Sequence, residues 1–313
     1  MSQTTQQKIE FRPFLLSDKE LYERYLFAEE ELGCEFSFAN FYLWGRQSFA
    51  ERDGQLLFFS QFDRRSVYPY PLGENTAKAK KAAIDAIIAD ARERGISCRI
   101  TGLSASARSM LEQLYPDRFF FHCDVGSFDY VYAIDDLADL PGKKYHAKRN
   151  HLNRFRDTFP DAVARPIDDS IVPAVRAFVS EWYETKISEQ PNGDYRMEQV
   201  AIERALRDRE ALGLEGLTIV DGDRILAVTL GSRLSEDTFD IHFEKARADV
   251  QGAYAAVNCE FARYLREKYP EVKYLDREDD MGIEGLRRAK KSYYPHHMIE
   301  KCWAHLREDG YEY

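Results

Sequence analysis

Asp240-Ile241-His242-Phe243-Glu244 alternates polar and apolar side chains, and the elements downstream of it decide the fold. A loop containing Gly252 leads into a helix, Ala253 to Lys268, and a second strand, Val272 to Leu275, runs into the acidic turn Asp276-Arg277-Glu278-Asp279-Asp280. Gly285-Leu286-Arg287-Arg288-Ala289-Lys290-Lys291-Ser292-Tyr293-Tyr294-Pro295 comes next, then a closing strand around His297 to Trp303. Strand, helix, strand, helix, strand is an α/β order. It delivers carboxylates, a histidine, tyrosines and cations to strand and helix ends, where such folds bind ligands.

The same order is legible upstream. Ser17 and Glu20 have capping-box spacing and predict a helix running to Leu32, followed by a second over Phe36 to Trp44. Phe49 to Phe62 reads as a hairpin turning at Asp53-Gly54. Val67 to Leu72 is extended, Asn75 to Arg94 is a helix stopped by Gly95, and Ser97 to Gly102 is a strand. Ser106 to Tyr115 is helical, and Phe119 to Ala133 forms two strands broken near Asp124-Val125-Gly126. A basic helix, Lys143 to Asp157, opens the second half. Helices over Val172 to Ile187 and Met197 to Leu212 follow, then a hairpin from Leu217 turning at Asp221-Gly222-Asp223 and continuing through Glu244. Both halves read helix, helix, three-stranded meander, helix, strand, helix, strand. The break at Asp139-Leu140-Pro141-Gly142 divides them into expected domains 1–141 and 142–313.

Composition narrows the function classes. The 313 residues are 44% hydrophobic and 31% charged with a net charge of −10, which excludes a uniformly basic nucleic-acid surface but leaves local basic patches open. Five cysteines without Cys-x-x-Cys signal neither a disulfide framework nor a zinc ribbon, so reduced cytosolic thiols are expected. No apolar run approaches the roughly 20 residues that span a bilayer, and the polar N-terminus carries no apolar signal core, so the expected location is cytoplasmic.

Three strings carry a resemblance. Ser37-Phe38-Ala39-Asn40-Phe41-Tyr42-Leu43-Trp44, Gly142-Lys143-Lys144-Tyr145-His146-Ala147-Lys148-Arg149-Asn150-His151 and Arg277 to Arg287 resemble an uncharacterised family of soluble bacterial proteins related to the C-terminal domain of phosphatidylglycerol lysyltransferases, and more distantly the Fem peptidyltransferases. The resemblance implies two tandem GNAT-like (N-acetyltransferase-like) α/β domains with mixed sheets. It also implies transfer of an amino acid from aminoacyl-tRNA to an amine or hydroxyl of a lipid head group, peptide or small molecule. The membrane-spanning part of the lipid enzymes has no counterpart here.

Within that frame the candidate residues take roles. Lys143, Lys144, Lys148, Arg149, Arg154 and Arg156 occur without an intervening acid, and a cationic helix suits the phosphates of a tRNA acceptor stem or lipid head group. Period two puts Asp240, His242 and Glu244 on one sheet face, the face that lines the acyl-donor cleft in GNAT-like folds. Glu244 is placed to act as general base or to hold the α-ammonium of an aminoacyl donor, with His242 and Asp240 beside it. These three offer no fourth ligand at helical spacing, so a metal is not expected. Asp276 and Glu278, nearest the strand end, are candidates for a cationic substrate. Tyr293 stands where acetyltransferases carry a tyrosine general acid, and Arg287 and Lys290 belong to a second cationic patch. An acetyl-CoA site would need a pyrophosphate loop, and Arg247-Ala248-Asp249-Val250-Gln251-Gly252-Ala253-Tyr254 matches one poorly. The reading is therefore cofactor-independent aminoacyl transfer, with acetyl-CoA-dependent acetylation or a non-catalytic binding protein as the alternatives.

Overall fold

The computed structural model describes residues 8–27, 32–45, 47–62, 65–189 and 195–309. The chain forms two compact units: Met1–Asp129 with Asp279–Ile283 and Met298–Tyr313, and Tyr130–Glu278 with Glu284–His297. Each is an α/β unit built on a mixed sheet in the GNAT-like manner. An antiparallel meander is followed by a helix that crosses over to a parallel strand.

In the first unit Gln47–Arg52 and Gln55–Phe62 pair antiparallel around Asp53 and Gly54, at φ 50° and 72°. Two successive positive φ values are what a two-residue hairpin demands. Arg65–Pro69 joins antiparallel, and Arg99–Leu103 lies parallel to it. The crossover is the helix Ala77–Arg94, capped by the Thr76 hydroxyl, which accepts the Ala79 N–H, and ended by Gly95 in the left-handed region. Phe14, Tyr22, Phe36, Phe38, Phe41, Phe49 and Phe58 fill the core as one aromatic cluster, Phe14 stacking on Phe49 with ring centroids 4.5 Å apart.

In the second unit Val163–Pro166, Glu215–Asp221, Arg224–Arg233 and Thr238–Ala246 form the antiparallel meander. The helix Ala253–Lys268 crosses over, and Tyr274–Asp276 lies parallel to Thr238–Ala246, pairing Asp276 with Asp240. Tyr132 and Val131 pair antiparallel on the far side of Tyr274–Asp276. Gly252 opens the crossover helix at φ 86°. A Cβ there would stand 2.5 Å from the His151 carbonyl oxygen, so only glycine lets the basic helix His146–Thr158 approach this closely.

Four expectations are corrected. The cut at 141/142 does not follow the units, because Cys302–Leu306 inserts between Arg99–Leu103 and Phe119–Cys123 of the first sheet while Tyr130–Ala133 joins the second. Local pattern marks a strand but not which sheet receives it. The same insertion sets Cys302 opposite Cys123, Cα atoms 4.3 Å apart, and they form a disulfide across 179 residues of sequence, against the expected reduced thiols. Ser17 is not the helix cap. The Asp18 carboxylate takes the Leu15 N–H and pairs with Arg12, and the helix Lys19–Leu26 stops short of Leu32. The helix Ile134–Asp139 and the strand Val163–Pro166 were not anticipated, being short and exposed or acidic.

Candidate active site

On the strand Thr238–Ala246 the three polar residues of the alternating face do not share one wet surface, as the sequence suggested. Asp240 is fully buried and His242 is 8% exposed; only Glu244 is half-buried. Burying unpaired polar groups costs several kcal/mol, and the fold avoids that with partners rather than solvent.

Glu244 Oε1 accepts from Arg277 Nη2 at 2.8 Å. Asn258, on the crossover helix and 5% exposed, completes the grip: with its amide oxygen toward the guanidinium it accepts from Arg277 Nη1 and Nε at 3.2 Å each. The rings of Tyr132 and Tyr293 lie 5.7 and 5.1 Å from the guanidinium carbon. The basic helix contributes Lys148, whose Nζ sits 3.7 Å from the centroid of the Tyr293 ring. Burial, then repulsion from Arg277, pulls the Lys148 ammonium down to about 8, with Glu244 resisting. Burial pushes the Tyr293 hydroxyl up to about 12, which Arg277 moderates. Burial works against the Arg277 charge, and Glu244 more than restores it, so its pKa is raised. A fixed guanidinium, a second cation of reduced pKa and a protonated phenol thus meet beside one carboxylate.

The remaining acids form a neighbouring arrangement. His242 Nδ1 is 3.2 Å from Asp240 Oδ2 and 3.8 Å from Glu278 Oε1, and its Nε2 is 2.8 Å from Ser232 Oγ. Burial lowers the imidazole, but Asp240 and Glu278 outweigh it and raise its pKa to about 9. Asp276 is fully buried and its Oδ1 accepts the Glu278 N–H at 2.8 Å, so it holds its own turn. Glu244 and Tyr293 are therefore brought together around Arg277, while Asp276 bonds the backbone of its own turn.

The cationic candidates divide in the same way. Arg149 donates to the carbonyls of Leu140 and Gly142, closing the turn before the basic helix, and Lys290 donates to the carbonyls of Arg277 and Glu278. Both hold backbone. Lys144 is exposed and pairs with Asp136 at 3.0 Å, and Arg154 is exposed on the helix surface. Arg287 is half-buried on the helix Glu284–Lys291. Sequence reasoning missed Arg277 and Asn258. The signal for Arg277 was present, a single cation in the run Asp276 to Asp280, while Asn258 in an apolar helix face offered none. The Arg247 of the supposed pyrophosphate loop is held by Glu181 through two 2.7 Å contacts.

The model of the family described as phosphatidylglycerol lysyltransferase, C-terminal, matches residues 28–305. The chain belongs to that family. A crystal structure of a conserved protein from Bacteroides thetaiotaomicron is 36% identical, with a TM-score of 0.89 over 95% of this chain and 99% of that one. L-PGS from Bacillus licheniformis shares the fold at 13% identity, with a TM-score of 0.70 over 98% of this chain and 95% of that one. FemX shares it at 10%, with a TM-score of 0.61 over 95% and 97%. A curated relative, an uncharacterized protein of Mycoplasmoides gallisepticum, is 24% identical over 177 residues, 56% of this chain; the match spans about half of that relative's length, 55%. Among the described residues no helix is long and apolar enough to cross a membrane.

Proposed function

We propose that this family member transfers an aminoacyl group from an aminoacyl-tRNA to an amine or hydroxyl acceptor, and that the reaction takes place around Arg277. The observation that carries the reading is the Arg277 guanidinium, fixed by Glu244 and Asn258, with Lys148 converging on the same tyrosine. The description of the family as a lysyltransferase domain, and the fold shared with L-PGS, support it.

Aminoacyl transfer needs little covalent chemistry from the protein. The acceptor attacks the ester carbonyl, the carbonyl oxygen becomes an oxyanion, and as the oxyanion collapses the ester C–O bond breaks, the proton lost by the acceptor balancing the one that the departing ribose oxygen gains. Preorganised cations at the oxyanion are the largest single contribution a site can make. Arg277 and Lys148 supply them, Tyr293 passes its proton to the ribose oxygen and takes the acceptor's proton in return, and Glu244 orients Arg277 rather than acting as a free base. Lys144 and Arg154 meet the phosphates of the acceptor stem. No cofactor enters this scheme.

The test is a transfer assay with a labelled pool of aminoacyl-tRNAs and three acceptor classes: phosphatidylglycerol vesicles, peptides and small amines. Label is expected to move to one class at a rate lost in Arg277→Ala. Deacylation no faster than the spontaneous rate with every class, alongside acetyl transfer from acetyl-CoA, would replace this reading with acetylation.

A further inference from the structure

Cys123 and Cys302 stand opposite each other on neighbouring antiparallel strands of the first unit and are joined as its disulfide. Their surroundings differ. Cys302 is fully buried, whereas Cys123 is half-buried on Phe119–Cys123, an edge strand of the sheet. The helix Ala105–Leu114, capped by the Ser104 hydroxyl, which accepts the Ala107 N–H, brings a cation to the less buried sulfur. Arg108 Nη1 donates to Cys123 Sγ at 3.7 Å, and its guanidinium carbon lies 5.5 Å from the centroid of the Phe121 ring. Phe121 and Cys123 are two residues apart on one strand and share a face, so the ring props the guanidinium beside the sulfur. A positive charge within about 4–6 Å favours the thiolate over the thiol. The cysteines outside the disulfide are placed differently. Cys98 and Cys259 are buried, and burial pushes the Cys259 thiol up to about 11. Cys34 is buried as well; Lys301 Nζ lies 3.5 Å from its sulfur, but Asp129 Oδ1 lies 3.4 Å away and opposes the thiolate.

We infer that Cys123 is a redox-reactive cysteine and Cys302 its resolving partner, so that the bond between them is opened by small thiols and closed by peroxide. Opening starts at the sulfur a reagent reaches first. A thiolate attacks Cys123 Sγ, the bond to Cys302 breaks, and Cys302 leaves as a thiolate that takes a proton. A second thiolate attacks the reagent's sulfur in the mixed disulfide and expels Cys123 as a thiolate, which Arg108 stabilises. Two reagent thiols are oxidised to one disulfide and the protein disulfide is reduced to two thiols. Closing begins on the Cys123 thiolate. It attacks hydrogen peroxide, the O–O bond breaks, and Cys123 becomes a sulfenic acid while the other oxygen leaves as water. Cys302 then attacks the sulfenic sulfur, the S–S bond forms and a second water leaves. One peroxide and two thiols thus give one disulfide and two waters. The cycle fastens or frees the start of the strand Cys302–Leu306, next to Lys301, whose ammonium lies 2.7 Å from Asp129 Oδ1 and 3.2 Å from Glu35 Oε2. This chemistry does not depend on whether the protein transfers aminoacyl groups.

The experiment uses the full chain, reduced with dithiothreitol, desalted and treated with equimolar hydrogen peroxide, its cysteines then mapped by peptide mass spectrometry. The Cys123–Cys302 disulfide is expected to return. With Cys302→Ser and dimedone present, the sulfenic acid should be trapped on Cys123, whereas Cys123→Ser should leave Cys302 unlabelled. Arg108→Gln keeps both cysteines and should slow iodoacetamide alkylation of Cys123 at about pH 7 by about 3- to 10-fold, the loss of thiolate being partly offset by the greater nucleophilicity of a less acidic thiol. The wild-type chain also decides the matter without variants: glutathione added to the oxidised protein should form its mixed disulfide on Cys123. A mixed disulfide on Cys302 overturns the inference. So does dimedone label on Cys34, Cys98 or Cys259 in place of Cys123, a reduced chain that peroxide does not return to the disulfide, or alkylation unaltered by Arg108→Gln.

Discussion

Arg277 and Glu244 are joined at 2.8 Å with their side chains only 15% and 13% exposed, so neither charge is free to serve without the other. Removing one partner of such a pair strands the other, at a cost of about 3–5 kcal/mol. Arg277→Ala and Glu244→Gln should both lower stability in denaturant melts. Transfer should fall about 10²–10³-fold in Arg277→Ala, the loss seen when an oxyanion donor is removed. The double variant Glu244→Gln/Arg277→Met removes both charges and should recover most of the stability while remaining inactive. Recovery of activity in the double variant would show that the pair is structural only.

Lys148 gives the site a pH limit. Its ammonium titrates at about 8 in the folded chain against 10.5 ordinarily. As an oxyanion partner it must be protonated, so kcat/KM should fall about tenfold per pH unit above about 8. The stability has the opposite sign. Between about 8 and 10.5 the unfolded chain binds more protons than the folded one, so resistance to unfolding rises with pH across that window. Lys148→Met should remove both effects. A rate that climbs through pH 8 would make Lys148 a base and reverse its assigned role.

How much of this was legible in the sequence depends on range. The helix Ala253–Lys268 and the hairpin at Asp53-Gly54 were readable because caps and turn residues act locally. The alternation of Asp240, His242 and Glu244 was readable too, but not its consequence. Period two shows that three side chains share a face; it does not show that the first two are buried against Ser232 and Glu278 while the third meets Arg277. Arg149 shows the same limit, since a cation in a basic run reads as a phosphate ligand until its carbonyl partners are known. What was hidden depends on pairings between residues far apart in the chain.

The Cys123–Cys302 disulfide is one of those pairings. It closes the Cys302–Leu306 strand onto Phe119–Cys123 within the first unit. Closing a long loop typically stabilises by about 2–4 kcal/mol. Reductant, or Cys123→Ser with Cys302→Ser, should lower the melting temperature, and Cys98→Ser, at a buried cysteine outside the disulfide, should leave the effect of reductant intact. A melting temperature indifferent to reductant would mean that the cross-link contributes nothing.

The basic helix provides the sharpest separation between a binding and a structural cation. Lys144 and Arg154 are exposed, whereas Arg149 closes the Leu140–Gly142 turn. A cation that neutralises a phosphate releases about one counterion, so each contact adds nearly one to the slope of log affinity against log salt. Lys144→Ala and Arg154→Ala should each reduce tRNA affinity and lower that slope by roughly 0.7–0.9, with stability nearly unchanged because both side chains are at the surface. Arg149→Ala should do the reverse, lowering the melting temperature by removing donors from two carbonyls and leaving the slope unaltered. Filter binding of tRNA between about 50 and 200 mM salt resolves the three variants. If Arg149→Ala alone flattens the slope, the phosphates lie at the turn, and the acceptor stem must run along the start of this helix rather than its exposed flank.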